Sequence, residues 1–258
     1  VQHITPNGLK YYQAPFWAHL KHGIFTRQGG VSPAPWASLN LGGTVGDSVD
    51  AVRQNHELML GALGLNRAQS VTTWQVHSAD VVVALHPIRG RRWLAQADGI
   101  VTDRADVSLV MRYADCTPLL FHDPVQGVIG IAHAGWRGTV KGVGANVVKA
   151  MQKFYGSKPA NIQALIGPTI SPQCFQVGEE VVEAVYRHFG TLDGLMTRDP
   201  ADNTAYVDLW AANQRDLERA GVEQIEILKL CTMQRTDEFF SHRAEKGRTG
   251  RFGAVISL

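Results

Sequence analysis

Three short segments of this 258-residue chain set a soft or borderline metal ligand beside glycine, aspartate or aromatic residues. They are Trp74-Gln75-Val76-His77, Ala114-Asp115-Cys116-Thr117-Pro118 and His133-Ala134-Gly135-Trp136-Arg137-Gly138-Thr139. Two imidazoles and a thiolate are the kind of three-ligand set that catalytic zinc uses, with a fourth position left for water. The intervals from 77 to 116 to 133 are too wide for a local metal motif, so only the fold can bring the three together. The same atoms allow a Cys-His nucleophile pair, with His133 or His77 activating Cys116 and Asp115 orienting the imidazole or serving as base. A structural cysteine with two unrelated, hydrogen-bonded histidines is the plain alternative. Copper redox chemistry is disfavoured, because its centres need dense histidine pairs and no His-x-His occurs.

The elements that must position these groups can be read from periodicity and turn signals. Leu119–His122 and Val128–His133 flank Asp123-Pro124-Val125-Gln126-Gly127, a hairpin connector. Pairing His122 with Val128 sets Cys116 opposite Ala134, and a one-residue change in loop length sets it opposite His133. His77 ends an expected strand over Val71–Val76. Further strands are expected at Val81–Leu85, Ser108–Tyr113, Ile162–Ile166, Ile225–Leu228 and Ala254–Leu258. Apolar spacing predicts helices over Ser48–Leu63 (capped by Asp47), from Gly138 to Tyr155, from Gly178 to Phe189 and from Asp208 to Ala220. His56 falls in the apolar stripe of the first and reads as a satisfied histidine. Strands that adjoin without an intervening helix favour α+β over a doubly wound sheet. A single domain over residues 1–258, layered α/β/β/α with mixed and largely antiparallel sheets, is expected.

Composition narrows the function classes. Twenty-five Lys and Arg against 23 Asp and Glu give a formal charge of +2, which argues against nucleic-acid binding by bulk charge. Three scattered cysteines, Cys116, Cys174 and Cys231, do not make a disulfide scaffold and point to a reducing compartment. The longest apolar run, Val81–Leu85, is far short of the ~20 residues that span a bilayer. A soluble, cytoplasmic protein, monomeric or weakly dimeric, with neither membrane nor nucleic-acid partner, is the expectation.

Other polar stretches carry possible function. Gly135 and Gly138 before a helix, with Arg137, suggest an anion cradle, although glycines there also serve as turn residues. Thr26-Arg27-Gln28-Gly29-Gly30-Val31-Ser32 and Ser38-Leu39-Asn40-Leu41-Gly42 lie in a glycine-rich region read as long loops. Near the other end, Arg243, Lys246, Arg248 and Arg251 crowd nine positions and can grip a phosphate, meet a partner or face solvent.

Taken together, these segments resemble the YfiH-like, laccase-domain proteins, also called the purine nucleoside phosphorylase or peptidoglycan editing factor family. The likeness adds Val45-Gly46-Asp47, Ile166-Gly167-Pro168, Phe239-Phe240-Ser241-x-Arg243 and Thr249-Gly250-Arg251, and runs nearly end to end. It implies a catalytic zinc on His77, Cys116 and His133. It also implies phosphorolysis of adenosine, inosine and methylthioadenosine, and deamination of adenosine to inosine. On this reading Cys116, His133 and Asp115 are catalytic, and Arg27, Asn40, Gln75, Arg137 and Arg243 meet nucleoside or phosphate. The rivals are a Cys-His amidohydrolase editing peptidoglycan precursors, a phospholigand-binding protein, and the disfavoured polyphenol oxidase. Departures from the family pattern at His56, Arg112, Tyr113, Gln234 and His242 bear on substrate preference.

Overall fold

The computed structural model describes residues 1–88 and 93–258. The chain opens with strands β1 (Gln2–Ile4), β2 (Lys10–Tyr12) and β3 (Lys21–Phe25), then helix α1 (Val49–Gly61). Short strands β4 (Ser70–Val71) and β5 (Val81–Val83) lead to β6 (Gly99–Thr102), β7 (Ser108–Tyr113), β8 (Thr117–Asp123) and β9 (Val128–Ala134). Helices α2 (Trp136–Thr139) and α3 (Val143–Tyr155), strands β10 (Gln163–Ile166) and β11 (Gln176–Val177), and helix α4 (Glu179–Phe189) follow. Strands β12 (Met196–Arg198) and β13 (Ala205–Val207), helix α5 (Leu209–Arg219), β14 (Gln224–Ile227) and β15 (Phe252–Ser257) complete it.

Two six-stranded sheets, ordered β1-β2-β3-β15-β7-β4 and β14-β10-β8-β9-β6-β5, carry the fold, with a small β11-β13-β12 sheet beside them. Most pairs are antiparallel; β4 with β7, β5 with β6 and β10 with β14 are parallel. The two-residue alternation of strands makes layers. Leu109, Met111 and Tyr113 of β7 meet Leu120, Ile129 and Ile131 of the other sheet in a dry inter-sheet core. Val110 and Val255, on the opposite face, pack on Met59 and Leu60 of α1. Beyond the second sheet, Leu119, Phe121 and Ala132 pack on Val143, Val147 and Met151 of α3 and Leu217 of α5. The architecture is α+β, in α/β/β/α order.

Several expectations change. The glycine-rich stretch over 26–42 is loop as expected, but three strands that were not expected, β1 to β3, precede it. Ser48, not Asp47, caps α1 by accepting from the Ala51 N–H, because the Asp47 carboxylate is engaged by Ser32 and Asn40. The helix expected from Gly138 to Tyr155 is two, parted at Gly142 with φ +73°, where the Asp216 carboxylate accepts from the Ala145 N–H and starts α3. Val71–Val76 forms only β4 and an isolated bridge at Trp74, so His77 stands in a loop. The hairpin register also shifts by one: Asp123 faces Val128, Pro118 faces His133 and Thr117 faces Ala134.

Candidate metal centre and its cavity

That register carries Cys116, just before β8, alongside Gly135, just after β9. A Cβ at Gly135 would lie 2.7 Å from the Cys116 Sγ and 3.1 Å from His77 Cδ2, so only glycine allows this approach. His133, on the penultimate residue of β9, points into the end of the inter-sheet layer, with its ring 4.9 Å from that of His77 and 5.5 Å from that of Tyr113. The ligand atoms of His77, Cys116 and His133 all lie within 4.8 Å of one another, and Cys116 Sγ is 3.8 Å from His77 Nε2. The structure thus brings together the three residues singled out by type.

Asp98, unnoticed in the sequence, organises the cluster. It is buried, immediately before β6, and the register of β6 on β9 sets it beside His133. Its Oδ1 lies 2.8 Å from His133 Nδ1 and its Oδ2 accepts from the N–H groups of Val76 and Ser78 at 3.0 and 2.7 Å. One carboxylate therefore orients one imidazole and clamps both backbone neighbours of another. The clamp holds His77 at φ +58°, a conformation that a non-glycine residue adopts only when its surroundings fix it. Burial pushes the Asp98 carboxyl up, but the His133 hydrogen bond and charge and the two N–H donors outweigh it and hold it below the ordinary range.

The electrostatics suit a thiolate. Burial raises the Cys116 thiol, yet the facing His133 and His77 imidazoles dominate and bring it down to about 6. Burial likewise disfavours charge on His133, but the Cys116 thiolate and Asp98 reverse that and raise it. The residues fit a metal ion: Asp98 occupies Nδ1 of His133 and leaves Nε2 for a ligand bond, and the donors are soft to borderline.

The cluster opens on a cavity of 1610 Å³ that runs between the ends of the two sheets and α1. Arg137 and Arg243 line it, the former with its guanidinium 4.2 Å over the Trp136 ring and the latter 5.5 Å over Phe175. Gln75 also lines it, but its carboxamide is spent as a strand partner, donating to the Arg112 carbonyl at 2.7 Å and accepting from the Arg112 N–H at 3.0 Å. Asp115, at φ +76°, borders the cavity with both oxygens engaged: Oδ1 accepts from the Thr232 hydroxyl and Oδ2 from the Arg243 N–H. Its carboxylate holds the Arg243 main chain beside Cys116. Arg27 and Asn40 do not reach the cavity. Arg27 donates to the carbonyls of Ala37 and Thr236 and to Glu245, under the Phe240 ring. Asn40 is fully buried and bonds Gly42, Asp47 and Arg251. His56 lines the cavity too, and burial first, then nearby Arg112, keeps it neutral by lowering it to about 4. Among the described residues no helix is long and apolar enough to cross a membrane.

A layered α+β fold with a Cys-His-His cluster at the end of an arginine-lined cavity defines a protein able to hold one metal ion beside a bound small molecule. Residues 21–258 match the family described as multi-copper polyphenol oxidoreductase laccase, and the chain belongs to that family. It is 36% identical over 244 residues to a protein of Bacillus subtilis named purine nucleoside phosphorylase YlmD, covering 92% of this chain and 87% of that one. It is 38% identical over 255 residues to one of Deinococcus radiodurans named purine nucleoside phosphorylase, covering 99% and 95%. The crystal structure of YlmD from Geobacillus stearothermophilus superposes with a TM-score of 0.93 at 34% identity, covering 100% of this chain and 98% of that one.

Proposed function

We propose that the chain is a zinc-dependent purine nucleoside phosphorylase acting on adenosine, inosine and methylthioadenosine, that it also deaminates adenosine to inosine, and that residues 1–258 work as one catalytic domain. The observation that carries this reading is the convergence of three metal-capable ligand atoms on an arginine-lined cavity, in a chain whose relatives bear the phosphorylase name. His77, Cys116 and His133 would hold the ion, which supplies Lewis-acid polarisation and a more acidic water when bound.

The chain's own residues supply the rest. Asp98 fixes the His133 tautomer and the His77 loop. Ile170, Phe175, Leu209 and Trp136 give the cavity an apolar wall against which a planar base can lie and from which water is displaced. Arg137 and Arg243 bring guanidinium N–H donors to the same region, suited to the ribose hydroxyls. In phosphorolysis a phosphate oxygen bonds C1′ while the C1′–N9 bond breaks, and the purine takes up a proton. Asp115 serves this reaction as a positioning residue, because its carboxylate ties Arg243 and Thr232 together beside Cys116. A copper oxidase is disfavoured by the donor set, since His77, Cys116 and His133 form the sole cluster of three such ligands among the described residues.

The approach of Cys116 to His77 favours one second reading, a Cys-His amidohydrolase. The two separate cleanly. Zinc-loaded protein given adenosine and phosphate should release adenine and ribose 1-phosphate and form inosine, lose this activity to a chelator and regain it with zinc. Absence of every product would refute the phosphorylase reading. Turnover of an amide by metal-free protein, abolished by alkylation of Cys116, would establish the rival.

A further inference from the structure

The cavity extends well past the cysteine–histidine cluster, toward α1, and its character changes on the way. Among the described residues six arginines line the cavity (Arg53, Arg67, Arg112, Arg137, Arg243 and Arg251) against two acids, Glu57 and Asp115. Asp115 is already engaged by Thr232 and the Arg243 N–H. Arg112 is on the face of β7 turned toward α1, the face of Val110, and Arg251 directly precedes β15, the neighbouring strand. Neither guanidinium has a carboxylate partner among the described residues.

Both are nonetheless held in place. Arg112 donates from Nη1 to the Thr72 hydroxyl at 3.0 Å and from Nη2 to the Thr73 carbonyl at 2.8 Å. Its backbone is clamped on both sides by the Gln75 carboxamide. Arg251 donates from Nη1 to the carbonyls of Thr249 and Gly250, and its N–H is held by Asn40. A guanidinium has five N–H donors. Arg112 therefore keeps Nε–H and a hydrogen on each terminal nitrogen unpaired among the described residues, and Arg251 keeps Nε–H and both hydrogens of Nη2. Arg27, outside the cavity, has what these two lack, a carboxylate partner in Glu245, besides the Ala37 and Thr236 carbonyls. Burial brings the Arg112 guanidinium down to about 10, with Tyr113 opposing the shift and the nearby charge of Arg251 adding to it.

We infer that Arg112 and Arg251 form a phosphate subsite on the α1 side of the cavity, built to take a tetrahedral oxyanion through their unpaired donors. Two sources present that chemistry: inorganic phosphate, the second substrate of a phosphorylase, and the phosphoryl group of a nucleoside monophosphate. The inference rests on the phosphorylase reading for its physiological role, and not for the binding itself. Arginine suits the task because its planar fork engages two oxyanion oxygens at once.

The test is equilibrium binding of radiolabelled inorganic phosphate to the purified protein, with R251Q, R112Q, R251K and the control R137Q, each checked by thermal melting. We expect saturable binding by the parent, weakened at least about tenfold in R251Q and R112Q and less in R251K. If R112Q does not fold, R251Q and R251K decide. Adenosine binding alongside phosphate identifies the free co-substrate; adenosine 5′-monophosphate displacing phosphate, where adenosine does not, identifies the ester. No saturable binding by the parent, or R251Q binding as the parent does while R137Q fails to bind, overturns the subsite. Phosphate binding without purine release leaves the subsite standing and sinks the phosphorylase reading. Purine release with an unchanged phosphate KM in R251Q does the reverse.

Discussion

Two polar regions of this molecule look alike in sequence and behave oppositely in the fold. The loop between β3 and α1 and the Cys-His-His cluster are both rich in glycine and in side chains able to hydrogen-bond. In the loop those groups satisfy one another. Asn55 donates to the Ser32 hydroxyl and to the Ser38 and Asn40 carbonyls and accepts from the Val31 N–H. Asn40 and Ser32 both donate to Asp47. In the cluster, by contrast, three strong ligand atoms converge with no protein group between them. A closed network reports architecture, whereas convergent groups left open report a site.

The comparison can be broken most directly at Cys116. Changing Cys116 or His133 to Ala should lower turnover by about 10³-fold or more, and Cys116→Ala should leave the melting temperature of metal-free protein nearly unchanged. Comparable activity in either variant would place the chemistry elsewhere. Asn55→Ala should show the opposite pattern, a loss of stability on the order of 3 kcal/mol from stranding several buried partners, with the metal affinity retained. Urea unfolding and a metal titration on one sample read both quantities.

Asp98→Asn lies between the two regions in kind. The amide keeps the shape but loses the charge behind His133 and offers an N–H where the Val76 and Ser78 donors point, so metal affinity should fall about 10–100-fold. An unchanged affinity would reduce Asp98 to a structural residue.

The smallest effect concerns pH and a buried histidine of β3. His22 accepts from the Ala14 N–H through Nε2 and has Nδ1 2.9 Å from the Leu20 carbonyl, so both nitrogens are satisfied only in the neutral ring. Burial, opposed by the Leu20 hydrogen bond, lowers it from 6.5 to about 4. The unfolded chain therefore binds the proton first. The stabilisation is complete above the unfolded value and fades as pH falls toward the folded one. Between pH 6.5 and 5 this should remove about 1–2 kcal/mol, a slope reduced in His22→Gln. A parent and variant with the same slope would contradict it.

Much of this is legible in the sequence. Ligand chemistry alone selected His77, Cys116 and His133, and β7, β8, β9, α4 and α5 follow the apolar spacing closely. The missing parts share a cause, since they depend on partners distant in sequence. Asp98 draws no attention in the sequence until β6 is laid against β9. Arg27 and Asn40 read as binding groups until Glu245, Thr236 and Arg251 arrive from the far end of the chain. The hairpin connector fixed the neighbourhood of Cys116 and Gly135 but not its register, where one residue decides what stands opposite the thiol.

Metal content of the purified protein tests the central claim most directly. Reconstitution with zinc followed by elemental mass spectrometry should give one zinc per chain for the parent, and well under one for folded Cys116→Ala, His77→Ala and His133→Ala. Arg27→Lys, altered in the closed network, should still bind one. A parent that takes up no stoichiometric metal, or a Cys116→Ala protein that still holds one zinc as tightly as the parent, would contradict the account.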